Sequence, residues 1–290
     1  MIRSRQTRAG DWAIAAVCVL LIFICLVPIL NVLARSVSSP EALIRNEVLL
    51  WPKGWNLQAY QTVLRDPVYT WSLTWTAILT LIVTVSSMTV TILCAFPLIY
   101  DQLKGRRVIN VIIVVTLYFS AGTIPMYLLL KSLDMLNKPS VLIIPNALSV
   151  FNMIILRSFF YGIPDSLRES AEIDGAGPVR TLVRIYLPLS TSVLATLSLF
   201  YAVGRWNGFS DALIYMNTAR RYHPIQLLLY NILQNTTQVE VATQEGFFPP
   251  GINETLKMAT VMFATVPIIL VYPWLQRYFI HGVTIGAIKG

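Results

Sequence analysis

Apolar residues in this chain fall in long runs, not in short alternating or amphipathic stretches. Six runs can be read: about Trp12 to Leu33, Trp71 to Tyr100, Val108 to Leu130, Val141 to Phe160, Ser190 to Val203 and Leu256 to Phe279. A helix that crosses a bilayer needs roughly 20 apolar residues. Every run is near that length, although the fifth reaches it only if helix extends beyond its apolar core. The pattern therefore predicts an all-α, polytopic membrane protein with six transmembrane helices.

Breakers and polar residues interrupt the runs. Gly122 and Pro125 fall in the third, and Pro145 in the fourth. The fourth also carries Asn146, Ser149 and Asn152, spaced three apart and expected near one face of a helix. Polar groups in hydrocarbon are costly, so that face should meet a protein interface or a water-filled path. Hydrogen bonding between helices is a plainer explanation of it than substrate contact.

Composition agrees with the runs. Of 290 residues, 56% are hydrophobic and 12% charged, with a mean hydropathy of +0.64. Soluble domains carry about a quarter charged residues. Arg3, Arg5 and Arg8 precede the first run, which is longer than a signal-peptide core and so reads as an uncleaved anchor. Lys104, Arg106 and Arg107 crowd the loop 101–107. The positive-inside rule places that loop and the leader, residues 1–11, in the cytoplasm, with both termini inside. Segments 34–70 and 204–255 then face outward, carrying aromatic and Pro/Gly-rich stretches at 51–55 and 246–251.

The net charge of +8 is explained by topology and anionic headgroups, with no pattern for nucleic acid. Cys18, Cys25 and Cys94 all lie inside apolar runs and read as small buried hydrophobes. His223 and His281 are far apart, so no metal site or His-based nucleophile is expected.

Between the fourth and fifth runs lies a polar, acidic, glycine-punctuated island, residues 161–188. Ser166 with Glu169 fits a capping box after Pro164. Gly175 fits a left-handed helix stop, and Pro178 the first turn of a second helix. Val179, Leu182, Val183 and Tyr186 recur at helical spacing, and Pro188 ends the island. These signals predict a helix–turn–helix, which by local chemistry alone is no more than a self-contained hairpin.

The island resembles the cytoplasmic coupling loop of bacterial ABC importer permeases. The family pattern is Glu-Ala-Ala, three residues, Gly, nine residues, Ile, one residue, Leu-Pro. Glu169, Ala171, Gly175, Ile185, Leu187 and Pro188 match it, with Ser170 in place of the usual Ala. The run Asp174, Gly175, Ala176, Gly177 resembles the carbohydrate-uptake branch. Trp206, Asn207 and Phe209, and the ending Gly282 to Gly290, are similar to the second permease of maltose-type importers. The stretch from Thr218 through Lys257–Thr260 and Tyr272–Trp274 is similar to a subgroup that serves oligosaccharides such as aldouronate and alginate.

The resemblance implies the binding-protein-dependent importer fold: a transmembrane domain over 12–281, the coupling loop 161–188 within it, and a cytoplasmic tail 282–290. The loop would dock on a separate ATPase subunit through Glu169, Ala171, Glu172, Asp174, Gly175, Gly177, Val179, Leu182, Val183, Ile185, Leu187 and Pro188. Partners would be a second permease, two ATPase subunits that bind ATP and Mg, and an extracytoplasmic solute-binding protein. The chain has no phosphate-cradling Gly-x4-Gly-Lys-Ser/Thr loop of its own. It is therefore expected to be no enzyme by itself and to bind no cofactor.

Tyr118, Asn146, Asn152, Arg205, Trp206 and Asn207 are the candidates for a sugar path. Arg205 would suit an acidic sugar, although an arginine snorkelling from the end of the fifth span is the plainer explanation. An ion-coupled carrier is the rival class, and few mid-span carboxylates and no internal repeat speak for it. A membrane-embedded enzyme would need a convergent catalytic set, which is not apparent.

Overall fold

The structure, a computed structural model, describes residues 5–234 and 252–286, with side-chain surroundings for 10–234 and 254–271. The leader's first four residues, the aromatic stretch 246–251 and the end of the tail, 287–290, lie outside the described residues. Every regular element among the described residues is helical.

The first run forms α1, Arg5–Ser36. Two short helices follow, α2 at Pro40–Ile44 and α3 at Gln58–Arg65. Ser39 starts α2 by accepting a hydrogen bond from the Ala42 N–H at 3.3 Å, with Pro40 in the first turn. The second run forms α4, Pro67–Ala95, which tightens into a 3₁₀ turn at Pro97–Ile99.

The third run is broken. Helix α5, Arg106–Tyr118, ends in extended backbone, and α6, Thr123–Ser132, restarts at a 115° angle to it. Gly122 sits between them at φ +86°, a conformation that side chains rarely adopt. The fourth run is also broken: α7 covers Ser140–Ile143 and α8 Val150–Tyr161. With 12 residues, α8 is shorter than a crossing helix.

The island forms α9, Asp165–Ile173, and then one winding element: α10 at Pro178–Thr181, a π-helical turn at Leu182–Tyr186 and α11 at Leu187–Leu189. The fifth run, α12 at Thr191–Asn207, meets that element at 85°. Helices α13, Ser210–Tyr215, and α14, Ile225–Gln234, follow. The sixth run is α15, Ile252–Gly286, which takes in part of the expected tail.

Of the six expected spans, α1, α4 and α15 are continuous helices long and apolar enough to cross a membrane. The third and fifth are bent pairs, and the fourth is the break at Pro145 with α8. Cys18 and Cys25 are exposed on α1 and not buried as expected, because α1 turns its apolar side chains outward from Trp12 to Leu30.

The chain divides into two compact units: residues 1–70 with 229–267, and residues 71–228 with 268–290. In the first, Ala34, Ala42, Leu43 and Val48 form a small core, and Arg35 pairs with Glu254 at 2.5 Å. In the second, the main core joins the end of α4 (Phe96 follows it) to Met153, Leu156 and Phe160 of α8, Leu182 and Tyr186 of the island, and Val193, Leu197 and Tyr201 of α12. Lipid is as apolar as these side chains, so the core coheres mainly by close packing and dispersion.

Candidate functional site

Two places concentrate the expected site residues, both within the second unit. The first is the hairpin of α9 and the winding element. Its first helix starts at Asp165 after Pro164, and no side chain caps it. Ser166 lies inside the first turn, so the expected capping box is not formed. Its carbonyl instead accepts from the Ser170 hydroxyl at 2.8 Å. Asp165 supplies the negative charge that the helix start favours.

The stop is as the sequence predicts. Gly175 takes φ +77°. The Ala176 N–H bonds to the Ala171 carbonyl at 2.8 Å, and the Gly175 N–H to that of Glu172 at 3.0 Å. That pair of bonds is a Schellman motif. Arg168 braces the same helix between Asp165 and Glu172, at 3.2 and 3.4 Å. Its guanidinium also sits 5.2 Å from the centre of the Tyr100 ring.

After Gly177, Pro178 opens the second helix as expected. The four-residue apolar stripe, however, does not bury as one face. Leu182 and Tyr186 are 7% and 2% exposed, whereas Val179 and Val183 are 76% and 54% exposed. The Leu187 N–H bonds five residues back, to the Leu182 carbonyl. This wider winding carries each residue less far round the axis and draws Tyr186 towards the Leu182 side. Pro188, which has no N–H and crowds the carbonyl four residues back, stands directly after it.

The inward side is an aromatic joint. Tyr186 meets Phe96 and Phe160 edge-on, at 5.2 and 5.4 Å between ring centres, and those two rings meet at 6.3 Å. Ile185 and Leu187 pack against the same core. Burial, followed by the Arg168 charge opposing it, leaves the Tyr186 phenol above its ordinary value. The outward side holds Glu169, Glu172, Asp174, Gly175, Gly177 and Ile173, all exposed. Ala171 is half-buried.

The second place is a depression of about 660 Å³ lined by Asn146, Ser149, Asn152, Arg205 and Asp211, with Phe151 and Phe200 on its wall. Asn146 and Ser149 lie in the break between α7 and α8, so they do not share a helix face with Asn152. Ser149 caps α8 by accepting from the Asn152 N–H at 3.3 Å. The Tyr201 hydroxyl accepts from the Ser149 N–H at 3.0 Å and bonds Thr91 at 2.7 Å.

Arg205 is not a snorkelling residue. Its side chain is 4% exposed and forks onto both Asp211 oxygens and the Gly208 carbonyl. Asn146 donates to the same carboxylate at 3.2 Å. A buried guanidinium needs such a partner, and the pair cancels its charge. Tyr118, Trp206 and Asn207 do not line the depression: Tyr118 is 77% exposed at the end of α5, and Asn207 is exposed at the end of α12.

Sequence reasoning missed Asp211, Phe151, Phe200 and the bracing role of Arg168. Asp211 had a signal, being a lone carboxylate six residues after a lone arginine across a glycine break. Phe151 and Phe200 had none, because phenylalanine in an apolar run looks the same on a lipid face and on a cavity wall.

Known proteins bear on the chain as a whole. Residues 71–285 match the model of the family described as binding-protein-dependent transport system inner membrane component. The chain is 37% identical over 286 residues to the polygalacturonan/rhamnogalacturonan transport system permease protein YtcP of Bacillus subtilis, covering 98% of this chain and 100% of that one. It is 24% identical over 287 residues to the arabinooligosaccharides transport system permease protein AraQ of Halalkalibacterium halodurans, covering 97% of each. Its fold matches a chain of a bacterial ABC transporter involved in the import of the acidic polysaccharide alginate, with a TM-score of 0.87, 30% identity, and 96% and 99% of the two chains covered. A match over most of its length to the family model, with relatives aligned end to end, leaves one conclusion: this chain belongs to the inner membrane components of binding-protein-dependent transport systems.

Proposed function

We propose that this chain is one of two different permease subunits of a bacterial ATP-driven importer. It passes an oligosaccharide delivered by an extracytoplasmic binding protein into the cytoplasm by alternating access. The observation that carries this reading is the two-sided hairpin: its tip and outer side are exposed, while Tyr186 and Leu182 anchor it in the core that joins α4, α8 and α12. A partner that pulls on such a hairpin moves three helices with it.

In this reading two ATPase subunits bind ATP and Mg, and the chain catalyses nothing by itself. Glu169, Glu172, Asp174, Val179 and Val183 meet the ATPase directly, and Gly175 and Gly177 shape the turn. Leu182, Ile185, Leu187 and Pro188 transmit the motion, with Ala171 at the hinge of the turn. Both termini lie in the cytoplasm. ATP must favour the outward-facing arrangement, since a ligand shifts only states it binds differently.

The cargo is an acidic oligosaccharide. Support comes from the relatives named for polygalacturonan/rhamnogalacturonan and for alginate. The depression suits a sugar, with Phe151 and Phe200 offering ring faces and Asn146 and Asn152 offering amides. Arg205, already bound to Asp211, organises this wall and does not read the carboxylate. That occupied arginine also favours a second reading, a neutral oligosaccharide.

Reconstituted vesicles test both. With the second permease, the ATPases, ATP inside and the binding protein outside, uptake of a uronate oligosaccharide is expected. Uptake driven by an ion gradient without ATP would refute the importer. Preference for a neutral oligosaccharide would refute the acidic cargo alone.

A further inference from the structure

Helix α5 leaves the basic loop at Gly105 and has no fully buried side chain along its length. Its inner side meets the core at Ile113, and Asn110, between the two sides, accepts a hydrogen bond from Arg157 and also lines the outer groove. The other side bears Arg107, Val111, Val114 and Val115, which at i, i+4, i+7 and i+8 form one stripe. The three valines are 57%, 46% and 46% exposed. Together with Arg106, Arg107 and Asp101 they line an open groove of about 730 Å³. From Arg107 to Val115 the helix rises about 12 Å at about 1.5 Å per residue. That is most of one leaflet's share of a hydrocarbon core about 30 Å thick.

The groove therefore has a charged end and an apolar track. Arg106 is committed to Asp101 and to the Tyr161 hydroxyl. Lys104 and Arg107 have no acidic partner among the described residues. Topology alone would explain a positive loop, but not a groove that begins at its cations and continues along exposed valines.

We propose that this groove binds an anionic phospholipid, with the phosphate at Arg107, where Lys104 of the adjoining loop can reach it, and an acyl chain along Val111, Val114 and Val115. Charge selects this occupant. A protein helix laid on the valines would need carboxylates of its own at the loop end, and a zwitterionic lipid brings a third cation to two that are unpaired. An anionic headgroup gives both cations phosphate oxygens at the membrane surface, where each such residue favours negative lipid.

The test uses the assembled permease–ATPase complex in mild detergent, with bound lipid counted by native mass spectrometry. Phosphatidylglycerol and phosphatidylcholine are titrated separately. The parent is expected to hold phosphatidylglycerol more tightly, and the Lys104→Gln, Arg107→Gln double variant to lose about fivefold of that preference per cation removed. Arg107→Lys keeps it. Val114→Trp, which fills the track, weakens the binding of both lipids, and inorganic phosphate displaces neither. In a separate chain with its charges intact, a photoreactive group on Val114→Cys captures phosphatidylglycerol in preference to phosphatidylcholine. Equal affinity for the two lipids in the parent, an unchanged preference in the double variant, or capture of the second permease at position 114 would overturn the proposal.

Discussion

Replacing Tyr186 with alanine separates the hairpin from the helices it is held to drive. The ring is 2% exposed and lies edge-on to Phe96 and Phe160, at 5.2 and 5.4 Å. Two edge-to-face pairs are worth about 0.5–1.5 kcal/mol each beyond simple burial. Truncating a packed aromatic to alanine costs about 3–5 kcal/mol in all. The lower end applies here, because part of this core faces lipid and gains little from leaving water. About 3 kcal/mol is roughly a hundredfold in the population of a docked joint. The assay is transport by reconstituted complex, together with ATP hydrolysis stimulated by the loaded binding protein. Both are expected to fall by up to that factor while the ATPase subunits stay bound, because Val179, Val183 and the acidic face of α9 are untouched. Tyr186→Phe keeps both ring pairs and should retain activity. An assembled Tyr186→Ala complex that transports and hydrolyses at the parental rates would refute the idea that this ring transmits the motion.

At the tip, Gly175 holds φ +77° with open space where a Cβ would stand, so Gly175→Ala costs only the left-handed backbone, about 1–2 kcal/mol, and Gly175→Asn costs less; ATPase assembly should follow that order. Asp211→Ala leaves Arg205 buried and unpaired, a loss of about 3–5 kcal/mol, whereas removing both charges as Arg205→Met with Asp211→Leu restores most of it; thermal stability of the purified complex reads this. Phe151→Ala is expected to raise the sugar concentration for half-maximal transport and to leave basal ATP hydrolysis unchanged. The Tyr186 phenol is raised from an ordinary 10.0, so it stays neutral at physiological pH, and the stabilisation it contributes is lost only as pH rises through and above that value; stability attributable to it should be flat from neutral to mildly alkaline pH.

The helical class and the positions of most segments were legible because hydrocarbon permits few alternatives to helix, and long apolar runs announce it. Gly175 and Pro178 were legible because a left-handed stop and a first-turn proline are local chemistry. The capping box at Ser166 failed because Pro164 and Asp165 start the helix two residues earlier, a competition that spacing alone does not decide. A constant α-helical period makes 179–186 a single face, and the π-helical turn before Pro188 breaks that period. Asn146 and Asn152 did meet in one depression, though by way of a helix break and not a shared face. Arg205 was misread because its partner lies beyond a turn, where periodicity carries no information.

The winding at Leu182–Tyr186 has a consequence for how this chain can change over generations. It sorts neighbouring residues into two independent constituencies. Alterations at Leu182 or Tyr186 must be answered by Phe96, Phe160 or other residues of the same polypeptide, so they are confined to one gene. Under the coupling role proposed above, alterations at Val179 or Val183 would be answered across a subunit boundary, by whatever ATPase the hairpin meets. On that proposal, a permease built this way would be re-addressed to a different motor by substitutions at a few outward positions, while its internal gearing is inherited intact.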